Sequence, residues 1–547
     1  MSRSFDEAAK FCRLVHSEHK AYWKEKQGLL KRYKVAYEGK FWSQDRFDDS
    51  MIRIETPDAW SYIEGFVAAI FSRQPSVVIG DDIAASTGEP KLAQAAANRW
   101  LYTQRQPLEL AARLALIYDY AGLKMSPKDS NDILDRVRIK AIPCWEIIID
   151  RDASDKDDQR FIGHCYYINL VEAKKLWGSR KYTAVPKTDY FQVTDKNKMP
   201  GQGGLDSLTD DYLFIEVVEI YDFVNDEVMF WSPQYHNGEK MLLKEQIPVR
   251  TYDDRPVAPI VPLFFSRSPS RPFEGLSAMA RVYDQIYEKN IIRTYWANSV
   301  RRDSRQYLYK EGTIDEEGLA KVTAGVDGAM IAVDNDTLDG IIRPVEVTPI
   351  STNFDRYINY VESDLARGSV LAPFSRGEAT KATATEITAL AQYSASEIGK
   401  MARDRDEALE DVVLCYLRQL VLLADEGETA VLEVEGVGKV LTPESLDAKF
   451  RINALDQGST PLSDALRKQN LLSLLPTLQG LGVNGRQVLE ELVRSYELPK
   501  NFLETLPTAE GSAPGPSAAD IKNIASGATE QITPQQQLAN ALMPGVQ

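Results

Sequence analysis

Apolar residues recur every three to four positions in some stretches of the chain; in others they alternate or run on unbroken. Over residues 5–36, Phe5, Ala8, Phe11, Cys12, Val15, His19, Tyr22 and Trp23 share one helical face. Pro57 to Phe71 repeats the pattern with Ile63, Phe66, Val67 and Ile70. Lys91 to Gly122 gives a third helical run through Leu114, Ile117 and Tyr120, in which Pro107 predicts a kink or split and Gly122 a C-cap. The period then changes. RVRIKAIPCWEIIID (136–150) and RFIGHCYYINL (160–170) read as strands around the polar turn RDASDKDDQ. FIEVVEIYDF, EVMFW and KMLLKE (214–245) extend a meander with HNG at 236–238 as a hairpin turn, and residues 183–210 read as a loop.

PIVPLFFSRSPSRPFEG (259–275) closes this mixed region, and helical spacing returns from Leu276 to about Arg302 with Met279, Ala280, Tyr283, Ile286, Tyr287 and Ile291. A small α/β insert follows: a strand at 306–310, a helix opened by the Thr313/Glu316 capping-box pair, then GAMIAVD and GIIRPVEV as strands. A helical run from about Asn353 to Arg367 leads into the basic, glycine-bearing segment SRGEATK (375–381). Thr383 and Glu386 then have capping-box spacing and start a helix near Ala384. Its apolar face (Ile387, Leu390, Ala391, Ser394, Ile398, Met401, Leu409, Val412, Tyr416, Leu420) persists for about forty residues, roughly 60 Å, with Gly399 and Arg405 predicting a kink. A hairpin (TAVLEVEG, GKVLTP), a strand beginning at Lys449, and a Leu-rich helical cluster over 461–505 complete the ordered pattern. The tail from Pro507 is low-complexity, with a last helix expected at 534–543.

Composition narrows the function classes. A chain of 547 residues, 44% hydrophobic and 26% charged, has ample material for a core. Its net charge of −16 argues against a surface coated with DNA-gripping cations, although local basic rings remain compatible with it. Four scattered cysteines (Cys12, Cys144, Cys165, Cys415) without a CxxC suggest neither a disulfide framework nor a zinc ribbon. The first residues carry acids and no apolar core, so they do not read as a secretory signal. No run of about eighteen apolar residues predicts a membrane span.

The order helix, compact insert, helix, basic loop, rod is similar to that of the portal proteins of tailed double-stranded DNA bacteriophages. GEATKATATEI resembles the portal tunnel loop and the start of its long wing helix. EGLSAMARVYDQIYEKN (274–290) resembles the descending stem helix after a G-x-S step, the insert with DGAMIAV the clip, 353–367 the ascending stem helix, and FRINALDQGSTPLSDALRKQNLL the lead into the crown.

The resemblance covers most of 50–505. It implies an α+β, elongated multi-region portal fold: a β-rich wing with helices at 1–273, stem helix 1 at 274–303, the clip at 304–349, and stem helix 2 at 350–370. The tunnel loop then falls at 371–383, the long wing helix and β segment at 384–460, a helical crown at 461–506, and the tail at 507–547. It further implies a ring of twelve copies at one capsid vertex of the virion, assembled in the host cytoplasm. Such a ring conducts double-stranded DNA, without sequence specificity, during packaging and ejection. Its expected partners are the major capsid protein, the terminase motor and the neck or adaptor proteins.

In such a ring every cation is multiplied by the copy number, so sparse charges are enough to centre a duplex. Ser375, Arg376 and Lys381 in the loop are the tunnel candidates, and Arg293, Arg301, Arg302 and Arg305 the stem candidates. In the acidic insert, Asp315, Glu316, Glu317, Asp334 and Asp336 are candidates for docking to motor or neck proteins.

Enzymatic signatures are missing. GVGKV (436–440) falls short of a P-loop, and HExxH, GxSxG and GxGxxG do not occur, so no catalytic residue and no cofactor is expected. His164 and Cys165 are strand neighbours pointing to opposite faces, which keeps the pair from sharing one metal, and His16 and His19 read as packing or solvent-facing residues. Asp150, Asp152, Asp155, Asp157 and Asp158 lack the EF-hand glycine and its final acid, which favours a solvated turn, and no metal site is expected. Two rival readings remain: another head–tail structural protein, such as a minor capsid or tail-tube component, and a metal-dependent nucleic-acid enzyme built on the 150–158 carboxylates.

Overall fold

A computed structural model describes residues 3–454 except 45–51, 73, 82–88, 179–181, 184, 186–212, 270, 272, 304–306, 310, 312–313, 325–341, 345–352, 369–383, 426–427 and 435–436. The expected crown, the tail, its last helix, most of the 183–210 loop, the tunnel loop and the GAMIAVD strand lie outside the described residues.

Helix α1 (Phe5–Tyr37) opens with a capping box: Ser4 accepts from the Glu7 amide at 3.3 Å, and the Glu7 carboxylate accepts from the Ser4 amide at 2.9 Å. Helix α2 (Asp58–Ile70) buries Ile63, Phe66, Val67 and Ile70, and is followed by strand β1 (Val77–Asp81). The third helical run is two helices, α3 (Pro90–Thr103) and α4 (Arg105–Ile117), broken at Gln104. Pro107 sits in the first turn of α4, where its missing N–H costs no helical hydrogen bond. The run stops at Ile117, and Asp119 adopts a left-handed φ of 80°. Gly122 is therefore no C-cap. It lies in strand β2 (Ala121–Pro127), where a Cβ would stand 2.7 Å from both Ile142 and Ile147.

Strands β3 (Val137–Pro143), β4 (Ile147–Ile149) and β5 (Phe161–Asn169) follow, then helix α5 (Leu170–Trp177) and strands β6 (Phe214–Asp222), β7 (Glu227–Trp231), β8 (Met241–Gln246) and β9 (Ile260–Leu263). The turn between β7 and β8 uses Asn237 and Gly238 at φ of 53° and 73°, as HNG predicts. Further on come α6 (Tyr283–Asp303), β10 (Tyr307–Tyr309), α7 (Glu316–Ala324), β11 (Ile342–Pro344), α8 (Asn353–Gly368), α9 (Ala384–Leu423), β12 (Ala430–Val434), β13 (Val437–Leu441), α10 (Pro443–Leu446) and β14 (Phe450–Ala454).

The described strands form five antiparallel groups: β4-β5-β6-β7-β8, β3-β2-β9, and the pairs β1-β14, β10-β11 and β12-β13. Strand β6 is central to the largest sheet and buried on both faces, so its Glu216, Glu219 and Asp222 are buried alongside Ile215, Val217, Val218 and Ile220. The β1-β14 pair joins residues 77 and 454 across most of the described chain, a contact that no local pattern announces.

Helix α9 runs through Gly399 and Arg405 without interruption. Its Leu409, Val412, Val413, Tyr416 and Leu420 lie in the main core, and Tyr416 stacks on Trp100 with ring centroids 4.0 Å apart. Arg405 does not break the face. It is 3% exposed, its guanidinium pairs with Asp406, and one amino group donates to the Ile70 carbonyl at the end of α2. The aliphatic stem fills the stripe while the head satisfies an orphan helix carbonyl.

Candidate functional site

The functional reading of the sequence rests on α6, the insert, α8 and α9, and the structure clamps the start of α6 firmly. In Glu274-Gly275-Leu276-Ser277, the Ser277 hydroxyl accepts from the Met279 amide at 3.0 Å and donates to the Ile117 carbonyl at 2.7 Å. A Cβ on Gly275 would lie 2.3 Å from the Asp119 carbonyl oxygen, so only glycine allows this approach. Lys26 of α1 donates to Glu274 and Asp119, each at 2.9 Å, and Tyr22 donates to Glu274. Thus α1, the end of α4 and the start of α6 meet in one polar knot.

A second device holds α6 along its length. Residues Ile52 to Thr56 run extended beside it, and alternate residues bond to side chains four apart on the helix. Asn298 Oδ1 accepts from the Ile52 amide at 2.9 Å, Thr294 Oγ1 from the Ile54 amide at 3.0 Å, and Asn290 Oδ1 from the Thr56 amide and hydroxyl at 2.9 and 2.8 Å. The match is geometric: one helical step of four residues rises about 6 Å, and two extended residues span about 6.6 Å. This polar stripe explains why α6 has a weak apolar pattern, since one buried face is made of Asn and Thr.

Helices α6 and α8 pack side by side. Tyr357 donates to Glu288, Lys289 sits 3.4 Å from Glu362 and 3.1 Å from Asp58, and Ile286, Ile292, Val361 and Leu365 are buried. Yet Tyr295, Trp296 and Val300 of α6, and Tyr357 and Tyr360 of α8, are exposed on the single chain, Tyr295 and Tyr360 by 64% and 68%. The insert between the two helices contains the β10-β11 pair, with Leu308 opposite Arg343, and helix α7.

Of the stem candidates, Arg293 is exposed on α6, Arg301 and Arg302 occupy its last turn, and Arg305 lies outside the described residues. Ser375, Arg376 and Lys381 also lie outside them, as do Asp334 and Asp336. In the insert, Asp315 has a local structural duty: its carboxylate accepts from the Gly318 amide at 2.9 Å and caps α7. Glu317 pairs with Lys321 at 2.9 Å on the same helix, and Glu316 is exposed at its first turn. Asp315 is therefore the cap that the sequence pattern assigned to Thr313, which is itself outside the described residues.

The 150–158 carboxylates are engaged locally. Asp150 pairs with Arg160 at 2.5 Å, Asp155 accepts from the Asp157 and Asp158 amides at 2.9 Å, and Asp158 accepts from the Ser154 amide and hydroxyl at 3.1 Å. They form a self-bonded turn. His164 and Cys165 are buried on opposite faces of β5, as alternation requires. Lys124 bridges His164 Nδ1 at 3.1 Å and Glu219 at 2.5 Å, and burial together with the Lys124 charge pushes the His164 imidazole well below its usual pKa. On the other face, Cys165 meets His16 of α1 and Glu216 of β6, their ligand atoms all within 4.8 Å of one another. Sequence reasoning missed this cluster because its members come from three separate elements. His19 is buried too, its Nε2 2.8 Å from the Trp145 carbonyl, and burial lowers its pKa to about 3.

No family model matches the sequence, and no curated protein matches it. A solved structure described as the neck of an empty GTA particle computed with C6 symmetry aligns over 82% of this chain and 88% of its own, with 11% identity and a TM-score of 0.41. Likeness at that level carries no functional argument. Among the described residues, no helix is long and apolar enough to cross a membrane.

Proposed function

We propose that the chain is a portal-type ring subunit: a structural conduit for double-stranded DNA, and a docking platform for a packaging motor and then for neck proteins. The observation that carries this reading is the α6–α8 pair. Its two helices enclose a small α/β insert in sequence, and the second precedes the long core helix α9. The pair also presents Tyr295, Trp296, Val300, Tyr357 and Tyr360 to solvent on an isolated chain. Several exposed aromatics on a packed helix pair favour a surface meant to be covered, and in a ring the neighbouring subunit's pair would cover it. Arg293 on α6, with the sequence candidates Arg301, Arg302, Arg305, Arg376 and Lys381, would centre the duplex without gripping it, consistent with the net charge of −16. Motor and neck contacts fall to the insert, through Glu316 and the sequence candidates Asp334 and Asp336.

Negative-stain microscopy of the purified protein tests the proposal directly. Rings with an axial hole are expected, and the double variant Trp296→Lys, Tyr360→Lys is expected to remain folded but lose ring formation. A wild-type protein that stays a compact monomer at all concentrations, or a closed assembly without an axial hole, overturns it.

A further inference from the structure

We propose that His16, Cys165 and Glu216 form a structural zinc site joining α1 to the five-stranded sheet. All three residues are more than nine-tenths buried: 7%, 7% and 5% exposed. They supply an imidazole nitrogen, a thiol sulfur and a carboxylate oxygen within 4.8 Å of one another, a donor set suited to zinc.

Two details favour a cation over a plain ion pair. His16 Nε2 lies 3.3 Å from Glu216 Oε1 but is not aligned to hydrogen-bond it, and is a buried nitrogen with no hydrogen-bond partner. Two ligands sharing a tetrahedral zinc, with bonds of about 2.0–2.1 Å, stand about 3.3 Å apart, with lone pairs aimed at a common point rather than at each other. The carboxylate is also pre-oriented. Lys20 holds the second oxygen, Oε2, at 2.7 Å, leaving Oε1 turned toward the imidazole, the arrangement expected of an outer-shell partner. The imidazole ring itself is seated edge-on against Trp231, with centroids 5.3 Å apart.

Cys12, one helical turn before His16, is buried in the same apolar cluster as Cys165 but is not part of the group whose ligand atoms lie within 4.8 Å of one another, so water takes the fourth position. Burial keeps the Cys165 thiol protonated in the metal-free protein, so binding releases a proton from sulfur as the zinc–sulfur bond forms. The inference is independent of ring formation, because every ligand comes from one chain.

The test uses full-length protein, expressed with added zinc or refolded from denaturant with and without zinc, and measures metal per chain by elemental analysis. One zinc per chain is expected, and cobalt substitution should give a sulfur-to-cobalt charge-transfer band that Cys165→Ser abolishes. Cys165→Ser and His16→Gln, checked for folding by circular dichroism, should each lose at least tenfold in zinc affinity. Wild-type protein that binds no zinc above a buffer blank by either route overturns the proposal, as does unchanged zinc content in both folded variants.

Discussion

Replacing Asn290 by Leu keeps roughly the same volume on α6 but removes the acceptor that serves Thr56 twice. Asn290 is 1% exposed and Thr56 4%, so water cannot substitute in the closed state. Two donors are orphaned, the Thr56 amide and hydroxyl, at roughly 1–3 kcal/mol each. Some relaxation is certain in so thin a strap, so a net cost of roughly 2–4 kcal/mol against the locally open state is expected. At about 1.4 kcal/mol per factor of ten, opening of residues 52–56 rises about 30- to 1000-fold. Hydrogen exchange with mass-spectrometric readout on the peptide covering 52–56 measures this directly, because the Ile52, Ile54 and Thr56 amides are protected by helix side chains rather than by a strand ladder. Asn298→Ala is the control. Ile52 is 38% exposed, so its freed groups find water, and the acceleration should stay under about tenfold. Equal exchange in wild type and Asn290→Leu would show that the side-chain ladder does not hold the strap, and the reasoning would fail.

Other perturbations test separate links. Leu409→Asp with Leu420→Asp places two charges at sites 1% exposed, costing several kcal/mol each; soluble, assembled protein from that variant would refute the buried α9 face. Gly275→Ala sets a methyl against the Asp119 carbonyl, so a loss of roughly 1–3 kcal/mol is expected, read as a lowered Tm, and an unchanged Tm would remove the close approach from the account. The Arg113 guanidinium holds the Glu64 carboxyl below its ordinary range, against the pull of burial. Stability from this pair is therefore complete above the ordinary carboxylate pKa and lost as pH falls through the depressed native value. Glu64→Gln should flatten the acid limb of the Tm–pH curve, and an identical limb would discount the pair. Deleting 375–382 should leave rings assembled while DNA retention or packaging drops, and normal packaging by such rings would remove the proposed loop role.

What could be read from the chain was whatever repeats locally. Much of the order of helices and strands follows from period, turn residues and caps, although β1, α5 and α10 carried no such signal and the start of β2 read as the end of a helix; the hairpin at Asn237-Gly238 was visible because only a few residue types accept those backbone angles. The errors occurred where a residue's role is set by something distant. Gly122 resembles a helix stop, but the stop is Asp119, held in its unusual conformation by Lys26 and by the chain passing at Gly275. Arg405 resembles a break in an apolar stripe until the Ile70 carbonyl is placed opposite it.

The same logic separates the two kinds of site. The ring surface proposed for the exposed aromatics of α6 and α8 would leave a trace in sequence, because several positions of the same two helices carry it. A site assembled from single residues leaves none. His16 is one position on an ordinary helix, Cys165 one position on an ordinary strand, and Glu216 one of three acids, with Glu219 and Asp222, in strand β6. Glu216 did offer a sequence clue, shared with Glu219 and Asp222, since a carboxylate in a strand buried on both faces needs a partner to offset its desolvation. The useful rule for chains of this kind is to treat a charged residue in a doubly buried strand as one half of an unseen constellation, and to search for its counterpart on the helix packed against that strand. Here that helix is α1, and the search ends at His16 and Lys20.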